Sequence, residues 1–232
     1  MINSPDNQNS LSELGETTPD KPPKVIFLDA VGTLFGVRNS VGAAYAQVAQ
    51  DFGVNLKAEA INTAFYQAFS AATPLAFPQQ EPSQIQPLEF QWWKDVAVET
   101  FKLAGVIEQF TDFDRFFQAL YKYFATAQPW NVYPDVVPSL TYWRSREIKL
   151  GILSNFDSRI YEVLTALELS HFFSSVTISS EAGAAKPDTK IFTTALEKYN
   201  CEPTSAWHIG DSWQQDYQGA KQAGIRAILI QR

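Results

Sequence analysis

The spacing of apolar residues changes character along the chain, and the changes mark out its architecture. Val25–Leu28 is an apolar run with no polar face, ending on Asp29 and a Gly32-Thr33 turn. Such a run predicts a strand buried on both sides, the habit of parallel sheets. A helical period follows: Val41, Ala44, Tyr45, Val48 and Phe52 share one face, and Gly53 is placed to end the helix. Further helical patterns run over 58–72, 88–104 and 112–126, with a Pro- and Gln-rich loop at 74–87. Strand-like runs then return at Lys149–Ser154, Ser175–Ser179, Ser205–Gly210 and Arg226–Ile230, each of the first three followed by a helical pattern. Strands alternating with helices imply right-handed βαβ units and a parallel sheet. The fold class expected is α/β, with a core built from residues 24–37 and 131–232 and an all-helical cap inserted over 38–130. Residues 1–23, polar and proline-terminated, are expected to be a disordered tail.

Composition narrows the function classes. The 232 residues are 45% hydrophobic and 19% charged, ordinary for a globular protein. The net charge of -7 and the scattered Lys and Arg residues give no basic footprint, so neither nucleic acid nor an anionic membrane is an expected partner. The tail holds four acids and one base, which leaves about -4 for the rest. A single cysteine, Cys201, fits a reducing compartment and reads as structural. With neither a secretory signal nor an apolar run of membrane-spanning length, a cytoplasmic location is expected. The oligomeric state is not legible.

The candidate chemistry lies at the strand ends. In open α/β sheets the carboxyl edge is where ligands bind, because the loops leaving the strands diverge there. The first strand ends on Asp29, the second on Ser154-Asn155, and the fourth on Gly210-Asp211-Ser212 with Asp216 shortly after. The third leads to Lys186-Pro187, where the proline can start the next helix. Asp29 on its own either hydrogen-bonds its turn or acts as nucleophile or cation ligand; Ser154-Asn155 and Asp211-Ser212 can equally be helix caps, and Lys186 can be a solvated surface lysine. Together, several carboxylates, a hydroxyl, an amide and a lysine on one sheet edge are what phosphoryl transfer needs. Mg²⁺ takes oxygen ligands from one or two carboxylates plus substrate phosphate, and a carboxylate nucleophile divides hydrolysis into two steps. Ser154, Asn155, Lys186 and the turn at Gly32 and Thr33 would hold the phosphoryl oxygens.

From Lys24 onward this ordered set resembles the haloacid dehalogenase-like hydrolase superfamily. The matching segments are Phe27–Leu34, Leu153-Ser154-Asn155, Lys186-Pro187 and Ile209–Asp216. Gln91-Trp92-Trp93, Ser154–Asp157 and Ser180–Gly183 look like the branch of haloacid dehalogenase-like hydrolase domain-containing protein 3. The resemblance implies a Rossmann-like sheet in the order 5-4-1-2-3 and a helical cap. It also implies Asp29 as nucleophile, with Lys186 beside it. Asp211 and the Val31 carbonyl would be Mg²⁺ ligands together with Asp29, with Asp216 in the outer shell. The expected substrate is a small phosphorylated metabolite.

One position departs from the family pattern. Phosphatases of the family carry a second Asp two residues after the nucleophile, as general acid and base, and here that residue is Val31. General acid–base groups contribute roughly 10² to 10⁴ in rate. Their loss weakens a phosphatase and costs least with a good leaving group. Two other readings follow from Val31: a 2-haloacid dehalogenase, whose halide needs no acid, and a non-catalytic relative that binds phosphate or a protein. Trp92-Trp93 reads as core or cap-to-core packing, His208 as a packed core residue, and Arg144–Glu147 as a solvated helix end.

Overall fold

The computed structural model describes residues 22–232, so the tail expected over 1–23 lies outside them as far as residue 21. Its centre is β1 (Val25–Leu28), every residue of which is buried. β2 (Phe35–Val37) and β3 (Trp130–Val132) form a separate antiparallel ribbon. The remaining strands are β4 (Lys149–Ser154), β5 (Ser175–Ile178), β6 (Ala206–Gly210) and β7 (Arg226–Leu229). All pairings in the main sheet are parallel, in the order β5-β4-β1-β6-β7. The ribbon strands shift this numbering. Counted over the five parallel strands alone, the order is the expected 5-4-1-2-3 read from one edge.

Apolar side chains fill both faces of the sheet. Ile26 and Leu28 pack with Leu140, Ile152 and Ile160 on one side, while Val25 and Phe27 pack with Leu153, Ile191 and Phe192 on the other. Alternation along β1 thus serves both layers, and each such side chain contributes roughly 1.5–3 kcal/mol through burial. Asp29, next in line, is carried to the carboxyl edge of the central strand.

Between the two ribbon strands lie α1 (Val41–Gln50), α2 (Ala58–Ala71), α3 (Pro82–Leu103) and α4 (Phe113–Tyr123). They share their own aromatic-rich core, with Tyr45, Phe65, Phe101, Phe116 and Phe117 buried. The ribbon pairs the chain entering this helical group with the chain leaving it, in the register Val37 opposite Trp130. No separate strand was expected at either place. Three residues are too few for alternation to register, and Phe35 and Trp130 owe their positions to their edge-on contact and shared burial in the sheet core.

Two local expectations are corrected. The loop expected over 74–87 ends early, because α3 begins at Pro82, a proline at a position where the missing N–H costs nothing, and it continues through Pro87. Pro187 does not start the next helix. That helix, Thr189–Glu197, is capped by Asp188, whose side chain accepts from the Lys190 N–H. No helix among the described residues is long and apolar enough to cross a membrane.

Candidate active site

The turn after β1 is tightly wound: the N–H groups of Thr33, Leu34 and Phe35 all point to the Ala30 carbonyl, and Gly32 N–H donates to Phe35. Gly32 has φ +88°, and a Cβ there would collide with the Asp211 carboxylate, so glycine is required on both counts. The turn leaves the Val31 side chain exposed. It brings the Thr33 hydroxyl to Asp211 Oδ1 at 3.3 Å, which makes Thr33 a support for that carboxylate.

Asp29 is buried and accepts from Lys186 Nζ at 2.7 Å, across 157 positions of sequence. The same ammonium donates to Asp216 Oδ1 at 2.5 Å. Lys186 is therefore no surface lysine. Asn155 anchors the loop that carries it, its Oδ1 accepting from the Lys186 N–H at 2.7 Å and its Nδ2 donating to the Lys186 carbonyl at 2.9 Å. Expected to hold phosphate, the Asn155 amide is engaged instead by this loop, with a longer contact to Gln215. Ser154 is buried at the end of β4, opposite Ile178.

Asp216 is reached through a π-helical turn, Trp213–Gln218, which Ser212 caps by accepting from the Gln215 N–H. The Ser212 N–H in turn donates to Asp216 Oδ2 at 2.9 Å. The turn folds Asp216 back over Gly210, where a Cβ would overlap its carboxyl group. His208 Nε2 lies 2.8 Å from Asp216 Oδ1. Expected to be plain core packing, His208 is indeed fully buried, edge-on to Phe192, yet it also holds a site residue. The available signal was a polar residue within the strand that delivers Asp211.

The charges are unevenly matched. One ligand atom from each of Asp29, Asp211 and Asp216 falls within 4.8 Å of the others, against the single ammonium of Lys186. Burial opposes the charge on Lys186, but Asp29 and Asp216 outweigh it and raise its pKa. Burial also opposes ionisation of Asp216, yet Lys186 and His208 hold its carboxyl well below the usual range. Asp211 is pushed up, first by burial and then by its two acidic neighbours. Burial lowers the pKa of His208. An all-oxygen group of three carboxylates with an excess of negative charge suits a hard divalent cation.

A second polar cluster joins α3 to the loop after β4. Trp93 Nε1 donates to Asp157 Oδ2 at 2.6 Å, and Asp157 takes both Nε and Nη2 of Arg159. The Arg159 guanidinium also lies over the Tyr121 ring, 3.8 Å from its centre. Glu89 of α3, fully buried, accepts from the N–H and hydroxyl of Ser158. Trp93 thus packs helical group to sheet as expected, while Glu89 and Arg159 were not singled out from sequence and Asp157 entered only as the end of the Ser154–Asp157 segment.

Similarity to known proteins bears on the family of the chain. The family described as haloacid dehalogenase-like hydrolase matches residues 23–224. Haloacid dehalogenase-like hydrolase domain-containing protein 3 of Mus musculus is 36% identical over 207 residues, 89% of this chain and 81% of its own length. Glyceraldehyde 3-phosphate phosphatase of Methanopyrus kandleri is 39% identical over 101 residues, 43% of each chain. The crystal structure of a HAD phosphatase from Thermococcus onnurineus superposes with a TM-score of 0.58 at 24% identity, over 90% of this chain and 86% of that one. With the expected motifs gathered on one sheet edge and the family matched over most of its length, the chain belongs to the haloacid dehalogenase-like hydrolases.

Proposed function

We propose that the protein is a Mg²⁺-dependent phosphatase that hydrolyses a small phosphorylated metabolite through an aspartyl-phosphate on Asp29. The observation that carries this reading is the cluster in which Lys186 bridges Asp29 and Asp216 beside Asp211. The phosphatase name of the Methanopyrus relative agrees with it.

In this reading an Asp29 oxygen attacks phosphorus, forming the Asp29–phosphate bond as the bond to the leaving oxygen breaks. Water then attacks phosphorus, releasing inorganic phosphate and restoring the carboxylate. Lys186 fixes the Asp29 carboxylate and offsets charge on the phosphoryl oxygens, with Ser154 beside it; the Gly32 and Thr33 N–H groups, expected to hold phosphate, are engaged within their own turn. Asp29, Asp211 and the Val31 carbonyl are the groups that would hold Mg²⁺, with Asp216 behind them. The metal would neutralise phosphate charge that the lone ammonium cannot. Val31 offers no proton, so the leaving oxygen departs unassisted, which favours acyl phosphates and similarly activated substrates.

Residues 24–37 and 131–232 form the catalytic core of this reading and 38–130 the cap that selects the substrate, in a cytoplasmic setting. Phosphate release from p-nitrophenyl phosphate and acetyl phosphate is expected with Mg²⁺ and lost in EDTA and in Asp29→Asn. Release that survives both would contradict the proposal; turnover of 2-haloacids without metal would favour the dehalogenase that Val31 also permits.

A further inference from the structure

The Lys186 ammonium can support Asp29 only if its second partner stays in place. Asp216 Oδ1 receives two donors, Lys186 Nζ at 2.5 Å and His208 Nε2 at 2.8 Å, while Oδ2 receives the Ser212 N–H at 2.9 Å. Ser212 belongs to the same exposed turn as Asp216. His208 belongs to β6, paired with the centre of β1 opposite Phe27. The histidine is thus the contact that ties the Asp216 carboxylate to the rigid sheet. Its other ring nitrogen, Nδ1, is buried with no hydrogen-bond partner among the described residues, a cost that a side chain serving only to fill space would not carry. A carboxylate can only accept at Nε2, so that atom bears the hydrogen.

We propose that His208 is a positioning residue for the reaction. Its Nε2–H fixes the Asp216 carboxylate, which holds Lys186 Nζ against Asp29. The inference rests on the phosphatase reading for its effect on rate, but the hydrogen bond stands apart from it. Outer-shell hydrogen-bond partners at metal sites change metal affinity or activity by roughly 10- to 100-fold when removed. His208→Phe keeps the ring volume and the contact with Phe192 while deleting the donor. His208→Gln keeps a donor.

Turnover of p-nitrophenyl phosphate with saturating Mg²⁺ is compared across wild type and both variants. The expected result is a kcat lowered at least about 10-fold in His208→Phe with KM within about twofold, and substantial recovery in His208→Gln. Equal losses in the two variants, or a kcat unchanged in His208→Phe, would overturn the proposal. If wild type releases no phosphate, the phosphatase reading fails, and the bond is read from the imidazole N–H resonances instead. A slowly exchanging His208 Nε2–H that is lost in Asp216→Ala supports the positioning bond; rapid exchange in wild type overturns it. Should His208→Phe not fold, the same resonance decides the matter in the native protein.

Discussion

Two buried polar clusters sit at the carboxyl edge of the sheet, and they are built on opposite plans. In the cluster joining α3 to the loop after β4, Asp157 is matched by Arg159 in a two-point pair, capped by Trp93, and Glu89 is held by both donors of Ser158. In the cluster at the end of β1, three carboxylates share one ammonium, and Asp211, partly covered by its neighbours, still meets solvent on one side. Carboxylates whose every oxygen is engaged by a donor make a joint. A larger surplus of one sign, open on one side, is an arrangement that a protein does not keep for stability and that a cation and a phosphate can complete. The distinction separates contacts that hold the helical group to the sheet from groups available for chemistry.

The comparison is broken most severely at its reactive member. Asp29→Asn is expected to cost about 10³-fold or more in phosphate release, measured by steady-state kinetics with Mg²⁺. Next in size, Arg159→Met leaves Asp157 buried without its partner. Unfolding in urea is expected to show a loss of about 3–5 kcal/mol, part of it restored when Asp157→Asn is added. Full stability in the single variant would mean that this cluster is no joint.

Val31→Asp tests the missing proton donor. Release from p-nitrophenyl phosphate is expected to rise about 10²-fold, and release from acetyl phosphate to change little. A smaller effect separates the two clusters by sign. Asp211→Asn removes one of three crowded like charges, so in EDTA the thermal midpoint is expected to rise, whereas neutralising Arg159 lowers it.

The smallest effect is a pH dependence. Burial raises the pKa of Glu89, against the pull of its serine donors. Its contribution to stability is therefore fully present below the ordinary carboxylate range and lost as pH rises through the raised value. Urea midpoints across that window are expected to fall more steeply in wild type than in Glu89→Gln.

What was legible from sequence follows the range of the signal. β1, β4, β6 and the position of Asp29 are marked by contiguous apolar runs, and α1 and α2 by their periodicity and, for α1, the following glycine. These are local patterns that burial alone enforces. The ribbon strands β2 and β3 depend on each other across 93 to 97 positions, and nothing within three residues announces that pairing. The start of α3 was hidden because prolines read as loop, although Pro82 sits where a helix tolerates it. At the site, Lys186 and Asp216 were legible through their motif context. The link between them, and the anchoring of Lys186 by Asn155, needed the fold. His208 and Glu89 were missed for one reason: a polar residue in an apolar stretch carries no sign of its partner until the chain folds back to supply it.

The central claim, that Asp29 itself takes the phosphoryl group, is tested most directly by acid-quenching the Mg²⁺-loaded protein during turnover of radiolabelled acetyl phosphate and mapping the label. The account predicts a base-labile phosphoryl group on the peptide containing Asp29, absent in Asp29→Asn. Release of phosphate with the label on another residue would contradict it.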